Sequence, residues 1–481
     1  MTPVDREAFW LGQWQRASAV ISVLDTETGD EVGAVGDCTA DELDLAVRSV
    51  SEAVLTGPHW PVWQRREALQ RASILLGERE QLFVDLISRE GCKPVTSARL
   101  EVGRARETVR LAAEQTSQLE GRTIPFGDSP RGAHRLGWYT REPIGVIGAI
   151  TPFNDPLNLV AHKLAPALVA GNGVVLKPAD QTPLTALAFL ELLLDAGIPR
   201  ELVAVLPGRG ATVGAALVSH PLVNMVSFTG GYATGDAIAR TAGAKKTLME
   251  LGGIGAVLVL DDADLDRAAA AIVDGAFGNA GQNCLSVQKV LVARERYDDL
   301  LELVVSRTLS LVVGSKQDPS TEIGPLIDEA SAARVEGWVE EATDAGATVH
   351  CGAKREGTFY WPTVLTGVPS DVRLATEEIF GPVVTVSAFD DVADAIGVVN
   401  SSAFGLQAGV FTRDLDRALD VAAALRVGAV MVNDTGDFRI DAMPFGGTKR
   451  SGIGREGVPF AVETMTEPKI VAINRSPATS A

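Results

Sequence analysis

The sequence predicts an α/β protein of more than one domain, with parallel sheets covered by helices. Three observations carry this. The chain has 481 residues, too many for one ordinary core. Nearly half of them (46%) are apolar and 48 are glycine, a composition typical of α/β proteins. From about residue 144, short apolar runs alternate with helical stretches across short links containing Gly and Pro.

The elements follow in order. Residues 40–116 read as mostly helical, with apolar residues at three- and four-residue spacings over 41–53 and 64–76. Pro94 breaks this pattern, and a further helix runs to about Gln115. The run 144–150 reads as a buried strand, 158–169 as a helix ended by Gly171, and 173–176 as a strand. A helix over 183–194 ends at Gly197, and a strand is expected at 202–206. Then come a helix at 211–218, a strand at 225–228 and a helix at 233–242. Repeated βα units of this kind build a parallel sheet, whose ligands bind at the carboxyl ends of its strands. A second α/β region starts near 256–260 and continues to about Gly447, with amphipathic stretches such as 265–277 and 334–345. Two segments fit neither region, 119–141 and the tail after Thr464, and both read as strand-like arms. Residues 475–481 are expected to be disordered.

Composition excludes several classes of function. The net charge of −19 argues against nucleic acid and anionic membrane as partners, although a small anionic substrate is compatible with it. Four widely spaced cysteines (Cys38, Cys92, Cys284, Cys351) form neither a disulfide framework nor a zinc pattern, which fits a cytoplasmic setting. Residues 1–16 lack the apolar core of a signal peptide, and no apolar stretch is long enough to span a bilayer. No metal site is expected.

The candidate chemistry centres on Cys284 and Glu250. Cys284 closes the Gly-bounded polar run 278–284, and a helix is expected from Leu285 onward, whose N-terminus would favour the thiolate. Cys92, beside Lys93, is its only rival. Glu250 lies between Met249 and Leu251, next to Gly252-Gly253 and just before an apolar strand. Partial burial there would raise its pKa and make it a usable base. The segment 151–156 follows the first buried strand, and the Asn154 amide between two prolines suits an oxyanion, although the same residues also suit an ordinary turn. Lys177-Pro178-Ala179-Asp180 at the next strand end suits ribose hydroxyls, or is a polar loop. The run 228–235 joins a strand to a helix and suits a pyrophosphate, though it is not the GxGxxG pattern. The late segment 433–447 reads as a polar, Gly-rich binding loop or as exposed surface.

In order and spacing these motifs resemble the aldehyde dehydrogenase superfamily: PFN at 152–154, KPAD at 177–180, FTGG…G at 228–235, ELGG at 250–253, GQNC at 281–284, EEIFGP at 377–382 and PFGGTKRSGIGRE at 444–456. The resemblance covers about residues 20–470. It implies a Rossmann-type dinucleotide-binding domain (1–118 and 142–249), an α/β catalytic domain (250–448), and a β-strand oligomerisation arm with a C-terminal tail (119–141 and 449–481). It also implies a homodimer or homotetramer. By position, Cys284 is the nucleophile, Glu250 the general base that activates water, and Asn154 the oxyanion donor together with the Cys284 backbone N–H. Lys163 and Glu456 match positions linked to proton relay. The cofactor falls to Thr151, Pro152, Phe153, Lys177, Pro178, Ala179, Asp180, Gly230, Gly231, Thr234, Gly235, Leu251, Gly252, Glu378 and Phe380. Asp180 stands where the family often has Glu; an acid there repels a 2′-phosphate, which favours NAD over NADP. Gly231 and Ile254 depart from the frequent Ser and Lys without removing a catalytic group.

The implied reaction runs through a Cys284 thiohemiacetal and thioester, hydrolysed to a carboxylic acid. The expected substrate residues are Asn158, His162, Asn283, Arg439 and Phe445, with Asp155 nearby. So polar a funnel resembles the branch acting on small polar aldehydes, such as lactaldehyde, succinic semialdehyde or phosphonoacetaldehyde. Arg439, with His162, would then bind a carboxylate or phosphonate; the alternative is a surface pair with Asp437 or Asp441. A CoA-acylating dehydrogenase and a catalytically silent binding protein of the same fold stay open as alternatives.

Overall fold

The computed structural model describes residues 5–58 and 60–475; the end of the tail expected to be disordered (476–481) lies outside them. Two parallel-based sheets form the frame. The first has eight strands in the order Gln13–Gln15, Ala8–Trp10, Val203–Val205, Gly173–Lys177, Val146–Ile150, Met225–Thr229, Lys246–Glu250 and Gly452–Ile453. The five from Val203–Val205 to Lys246–Glu250 are mutually parallel. The strands Val146–Ile150 and Gly173–Lys177 are buried on both faces, as continuous Val/Ile/Leu-rich runs require in a sheet covered by helices.

The helix Asn158–Ala170 packs in this core and is buried along its whole length. It ends at Gly171, whose φ of 93° is the left-handed cap that glycine adopts without strain. The helices Ala40–Thr56, Val62–Glu78 and Val95–Glu114 fall where the periodicity predicts them.

The second sheet has seven strands: Thr348–Cys351, Thr363–Thr366, Val383–Phe389, Val287–Ala293, Gly255–Val259, Gln407–Phe411 and Ala429–Val432. All but the first are parallel to their neighbours. The two odd segments meet in a separate antiparallel sheet of Arg122–Thr123, Arg135–Pro143 and Thr466–Asn474. Among the described residues of the expected tail segment 449–481, only Thr466–Asn474 belongs to that sheet. The strand Gly452–Ile453 joins the first sheet beside Glu250, and the helix Val458–Thr464 buries Val458 and Val462 in the first core. No helix among the described residues is long and apolar enough to cross a membrane.

Candidate active site

In the first sheet the strand order reverses between Val146–Ile150 and Met225–Thr229, the kind of crevice where open α/β sheets bind ligands. A cavity of about 550 Å³ opens there. Thr151 to Asp155, Lys177, and Thr229 with Gly230 reach it from strand carboxyl ends of the first sheet. Glu250 reaches it from the same edge, at the carboxyl end of Lys246–Glu250 beside Thr229. Opposite stand Leu251 with Gly252, Asn283 to Leu285, and Glu378 with Phe380. These residues precede Gly255–Val259, Val287–Ala293 and Val383–Phe389, so they occupy the amino edge of the second sheet. Carboxyl ends of one parallel sheet therefore face amino ends of the other.

Cys284 sits on a tightly built loop. Asn279 (φ 52°), Ala280 (φ 53°) and Gly281 (φ 68°) are left-handed in succession. Gly281 is required there, because a Cβ would stand 2.2 Å from the carbonyl oxygen of Gly381. The buried Gln282 donates from Nε2 to Cys92 Sγ (3.3 Å) and to the Pro325 carbonyl (3.4 Å), while its Oε1 accepts from Ile327 N (2.9 Å). Cys284 itself is half-buried and packs on Leu285, Leu406 and Phe445.

The helix expected from Leu285 is absent. Val287–Ala293 is a strand paired in parallel on both sides, where its β-branched residues fit the pleat. The helix-terminus argument for a thiolate therefore fails. Burial pushes the Cys284 thiol well above its ordinary range, Glu378 and Glu250 push the same way, and Arg439 opposes them. The rival Cys92 is 2% exposed, pushed up to about 11 by burial, and braces the loop by accepting the Gln282 hydrogen bond.

Glu250 ends the strand Lys246–Glu250 and is 2% exposed. Its Oε1 accepts from the Glu456 backbone N–H (3.3 Å), and its buried Oε2 has no partner among the described residues. Burial, reinforced by the Glu456 carboxylate, raises its pKa well above the ordinary carboxyl value. Glu456 behaves oppositely. Burial alone would raise it, but Lys163, His162 and Arg439 outweigh burial and hold it at about 2. Lys163 Nζ donates to Glu456 Oε1 (3.3 Å) and to Ser227 Oγ (3.2 Å). Asn154 is 7% exposed, lines the cavity, and has no side-chain hydrogen bond among the described residues.

The far end of the cavity is densely charged. The Arg439 side chain is only 7% exposed and stacks 3.8 Å from the Phe445 ring centroid. Its Nη2 lies 3.4 Å from Glu456 Oε2 and 3.2 Å from His162 Nε2, and its Nε lies 3.9 Å from Asp441 Oδ1. The expected surface pair with Asp441 is thus a buried one. Arg104 reaches the same cavity from the helix Val95–Glu114, 3.2 Å from Asp441 and 3.8 Å from Asp155. Lys93 joins Asp155 to Glu101, whose Oε1 accepts from the backbone N–H groups of Leu157 and Asn158.

The sequence profile described as "Aldehyde dehydrogenase family" matches residues 14–471. The chain belongs to the aldehyde dehydrogenase family. It is an NAD(P)-dependent oxidoreductase that oxidises an aldehyde. It is 41% identical over 463 residues (96% of this chain, 97% of the relative) to a 3-sulfolactaldehyde dehydrogenase of Priestia aryabhattai. It is 44% identical over 455 residues (94% and 96%) to an aspartate-semialdehyde dehydrogenase 1 of Pseudomonas canavaninivorans. Its fold matches the crystal structure of the NADP-dependent glyceraldehyde-3-phosphate dehydrogenase from Bacillus halodurans C-125 complexed with NADP, with TM-score 0.96, 37% identity and coverage of 98% and 100%.

The cavity of this aldehyde dehydrogenase fits a dinucleotide on its own geometry. The buried hydroxyl of Thr229 has no partner among the described residues, and it lines the cavity beside the N-terminus of the helix Tyr232–Ala242. A Cβ on Gly231, the N-cap of that helix, would meet nothing within 4 Å, whereas one on Gly235 would strike Leu251 at 2.4 Å. Glu378 Oε1 accepts from Gly253 N (3.0 Å), and its Oε2 would lie 2.0 Å from a Cβ on Gly252, so the glycine makes room for the carboxylate. Burial lifts Glu378 to about 7. Phe153 and Phe380 meet edge to face at 5.8 Å. Lys177 is ion-paired with Asp180.

The other expected residues divide clearly. Thr151, Pro152, Phe153, Ala179, Thr234, Leu251, Asn283 and Phe445 line the cavity; Pro178, Gly231 and Gly235 do not. Asn158 and His162, expected in the funnel, do not reach it. Both are 0% exposed on a helix buried on every side, Asn158 bonded to Thr108 and His162 2.8 Å from Asp441. Arg104 and Lys93 were not singled out as site residues, because they lie in the helical N-terminal region far from any motif. The signal for Arg104 was a cation within an amphipathic helix, and for Lys93 its place beside Cys92.

Proposed function

We propose that the chain oxidises a small anionic aldehyde to its carboxylic acid, with Cys284 as nucleophile and Glu250 as the base for hydrolysis. The observation that carries this is one cavity containing the half-buried thiol, the unpaired Asn154 amide, the orphan oxygen of Glu250 and two cationic side chains, Arg104 and Arg439. The Cys284 sulfur attacks the carbonyl carbon, and Asn154 with the Cys284 backbone N–H steadies the oxygen as it gains charge. The thiol proton passes toward Glu250, whose raised pKa suits accepting it near neutral pH. A bound nicotinamide supplies the hydride acceptor. Glu250 hands the thiol proton on toward Glu456 and Lys163, its relay, and, ionised again, deprotonates the water that hydrolyses the thioester; the Glu456 backbone N–H holds its carboxylate in place. This placement of Glu250 favours hydrolysis over transfer to CoA.

Thr151 to Phe153, Lys177 to Asp180, Gly230 to Gly235, Leu251, Gly252, Glu378 and Phe380 would hold the dinucleotide. NAD is the preferred form: Asp180 repels a 2′-phosphate, and its pairing with Lys177 leaves that lysine less free to receive one. The substrate class rests on Arg104 and Arg439 and on the relatives, whose names denote sulfonated, carboxylated and phosphorylated aldehydes. Asp155 is held chiefly by Lys93, with Arg104 farther off at 3.8 Å, so it offsets these two cations only in part. The sheet of Arg135–Pro143 and Thr466–Asn474 leaves Leu136, Trp138, Ile470 and Ile473 exposed, which supports the proposed arm of a homodimer or homotetramer. Four free cysteines fit a cytoplasmic protein.

The test compares sulfonated or carboxylated aldehydes with neutral ones of equal length by NAD(P)H absorbance. The anionic ones should have the higher kcat/KM, and Arg439→Met should cost them about 10–100-fold while costing the neutral ones little. Equal efficiency of the two classes would overturn the anionic reading.

A further inference from the structure

Asp437 lines the cavity, and the mechanism above gives it no task. Its position is well defined. After the strand Ala429–Val432 the chain doubles back along Gln407–Phe411, which Gly409 permits: a Cβ there would stand 2.4 Å from the Asp434 carbonyl oxygen. Gln407 Nε2 then donates to the carbonyls of Gly436 (2.5 Å) and Phe438 (3.2 Å), pinning the loop on both sides of Asp437. Asn283 Nδ2 donates to Asp437 Oδ1. Asn283 directly precedes Cys284, so Asp437 is tethered one residue from the nucleophile.

Its charge is poorly satisfied. Among the described residues, the Asn283 amide is the only hydrogen-bond donor to a carboxylate that can accept several. Asp274, Asp155 and Asp434 repel it, and Arg104 opposes them. Burial and these neighbours lift its pKa to about 7. A carboxylate in such a place is costly unless a donor reaches it. Holding Asn283 does not account for an acid, because Asn283 Oδ1 is itself anchored by Leu285 N (3.2 Å) and any acceptor would complete the pair.

We propose that Asp437 is a specificity-determining residue, whose free oxygen accepts a hydrogen bond from a hydroxyl or ammonium group on the one or two carbons beyond the aldehyde. This rests on the anionic-aldehyde reading and narrows it. Arg439, two residues along the same loop, and Arg104 take the anion, Cys284 takes the carbonyl carbon, and Asp437 takes the donor between them. The substrate class is then an aldehyde carrying both an anion and a neighbouring hydroxyl or ammonium.

Two matched pairs test it: 2-hydroxy-3-sulfopropanal against 3-sulfopropanal, and 2-hydroxypropanal against propanal. In the wild type the hydroxyl should raise kcat/KM by about 10–100-fold in each pair, the range for a hydrogen bond to a charged group. In Asp437→Ala, and in the isosteric Asp437→Asn, that ratio should fall to within about threefold of one. A purely structural role would instead lower both members of each pair together and keep the ratio. A wild-type ratio near one, or a high ratio that survives both substitutions, overturns the proposal. Failure of the anionic reading looks different: the sulfonated and neutral pairs would be turned over equally, with the hydroxyl ratio intact.

Discussion

At the proposed cofactor side of the cavity the chain presents glycines, a helix N-terminus, an unpaired threonine hydroxyl and one partly exposed ion pair, Lys177–Asp180. At the proposed aldehyde side it buries the side chains of Lys93, Glu101, Arg439, Asp441, Glu456 and Lys163 and half-buries Asp155, all of them already paired. The first side recognises through backbone and absent side chains, so it needs only local sequence. The second must keep cations available to a substrate while paying for their burial, so each is held against a carboxylate: Lys163 and Arg104 against distant ones, Arg439 against Asp441 and Glu456 nearby. Asp441 shows how: burial would raise its pKa, but His162, Arg104 and Arg439 together hold it well below the ordinary carboxyl range. Cys284 and Glu250 lie where the two sides meet.

If the two sides are independent, a change at one should leave the other alone. The largest effect is expected at the junction. Cys284→Ala should lower turnover by about 10⁴-fold or more while dinucleotide affinity, read by calorimetry, stays within about twofold. Full activity in that variant would remove the thioester mechanism, and lost dinucleotide binding would show that the two sides are coupled. Next, Glu250→Gln should slow the steady state by about 10²–10⁴-fold and leave a burst of NAD(P)H. In the wild type the hydrolytic rate should rise with pH as Glu250 loses its proton, above the ordinary carboxyl range because burial and Glu456 raise its pKa. That rise should be missing in Glu250→Gln, and a variant that keeps it would assign the titration to another group. The smallest effect belongs to the cofactor side. Asp180→Ala should reduce the preference for NAD over NADP by roughly five- to tenfold, with the KM for aldehyde unchanged. An unchanged preference would show that Asp180 does not face the 2′ position.

Much of the frame was legible beforehand, for identifiable reasons. Buried parallel strands are continuous apolar runs, so 144–150, 173–176 and 225–228 could be read nearly to the residue. The segments 119–141 and after Thr464 stood out because their patterns matched neither domain, and they pair with each other. The helix expected after Cys284 failed because the Gly-rich turn before it resembles a helix entrance, while Val287–Ala293 is committed to the middle of a sheet. Asn158 and His162 were misread as funnel residues because polar side chains on an apolar helix suggest a site. Here they lie buried in the core, Asn158 Oδ1 accepting from Thr108 and His162 Nε2 against Asp441, while Asn158 Nδ2 and His162 Nδ1 have no partner among the described residues.

Local sequence sufficed for the parts carried by backbone: strand ends, and glycines where a carbonyl or carboxylate comes within 2–3 Å of the missing Cβ. Such features need only neighbours in the chain, and the chain order preserves them. The contact of Arg439 with His162, the pairing of Arg104 with Asp441, the brace from Cys92 to Gln282, and the half-satisfied Asp437 depend on residues more than a hundred positions apart. Whether a charge is paired, and how far burial shifts its proton, is set by what the fold brings against it, so only the tertiary structure decided these.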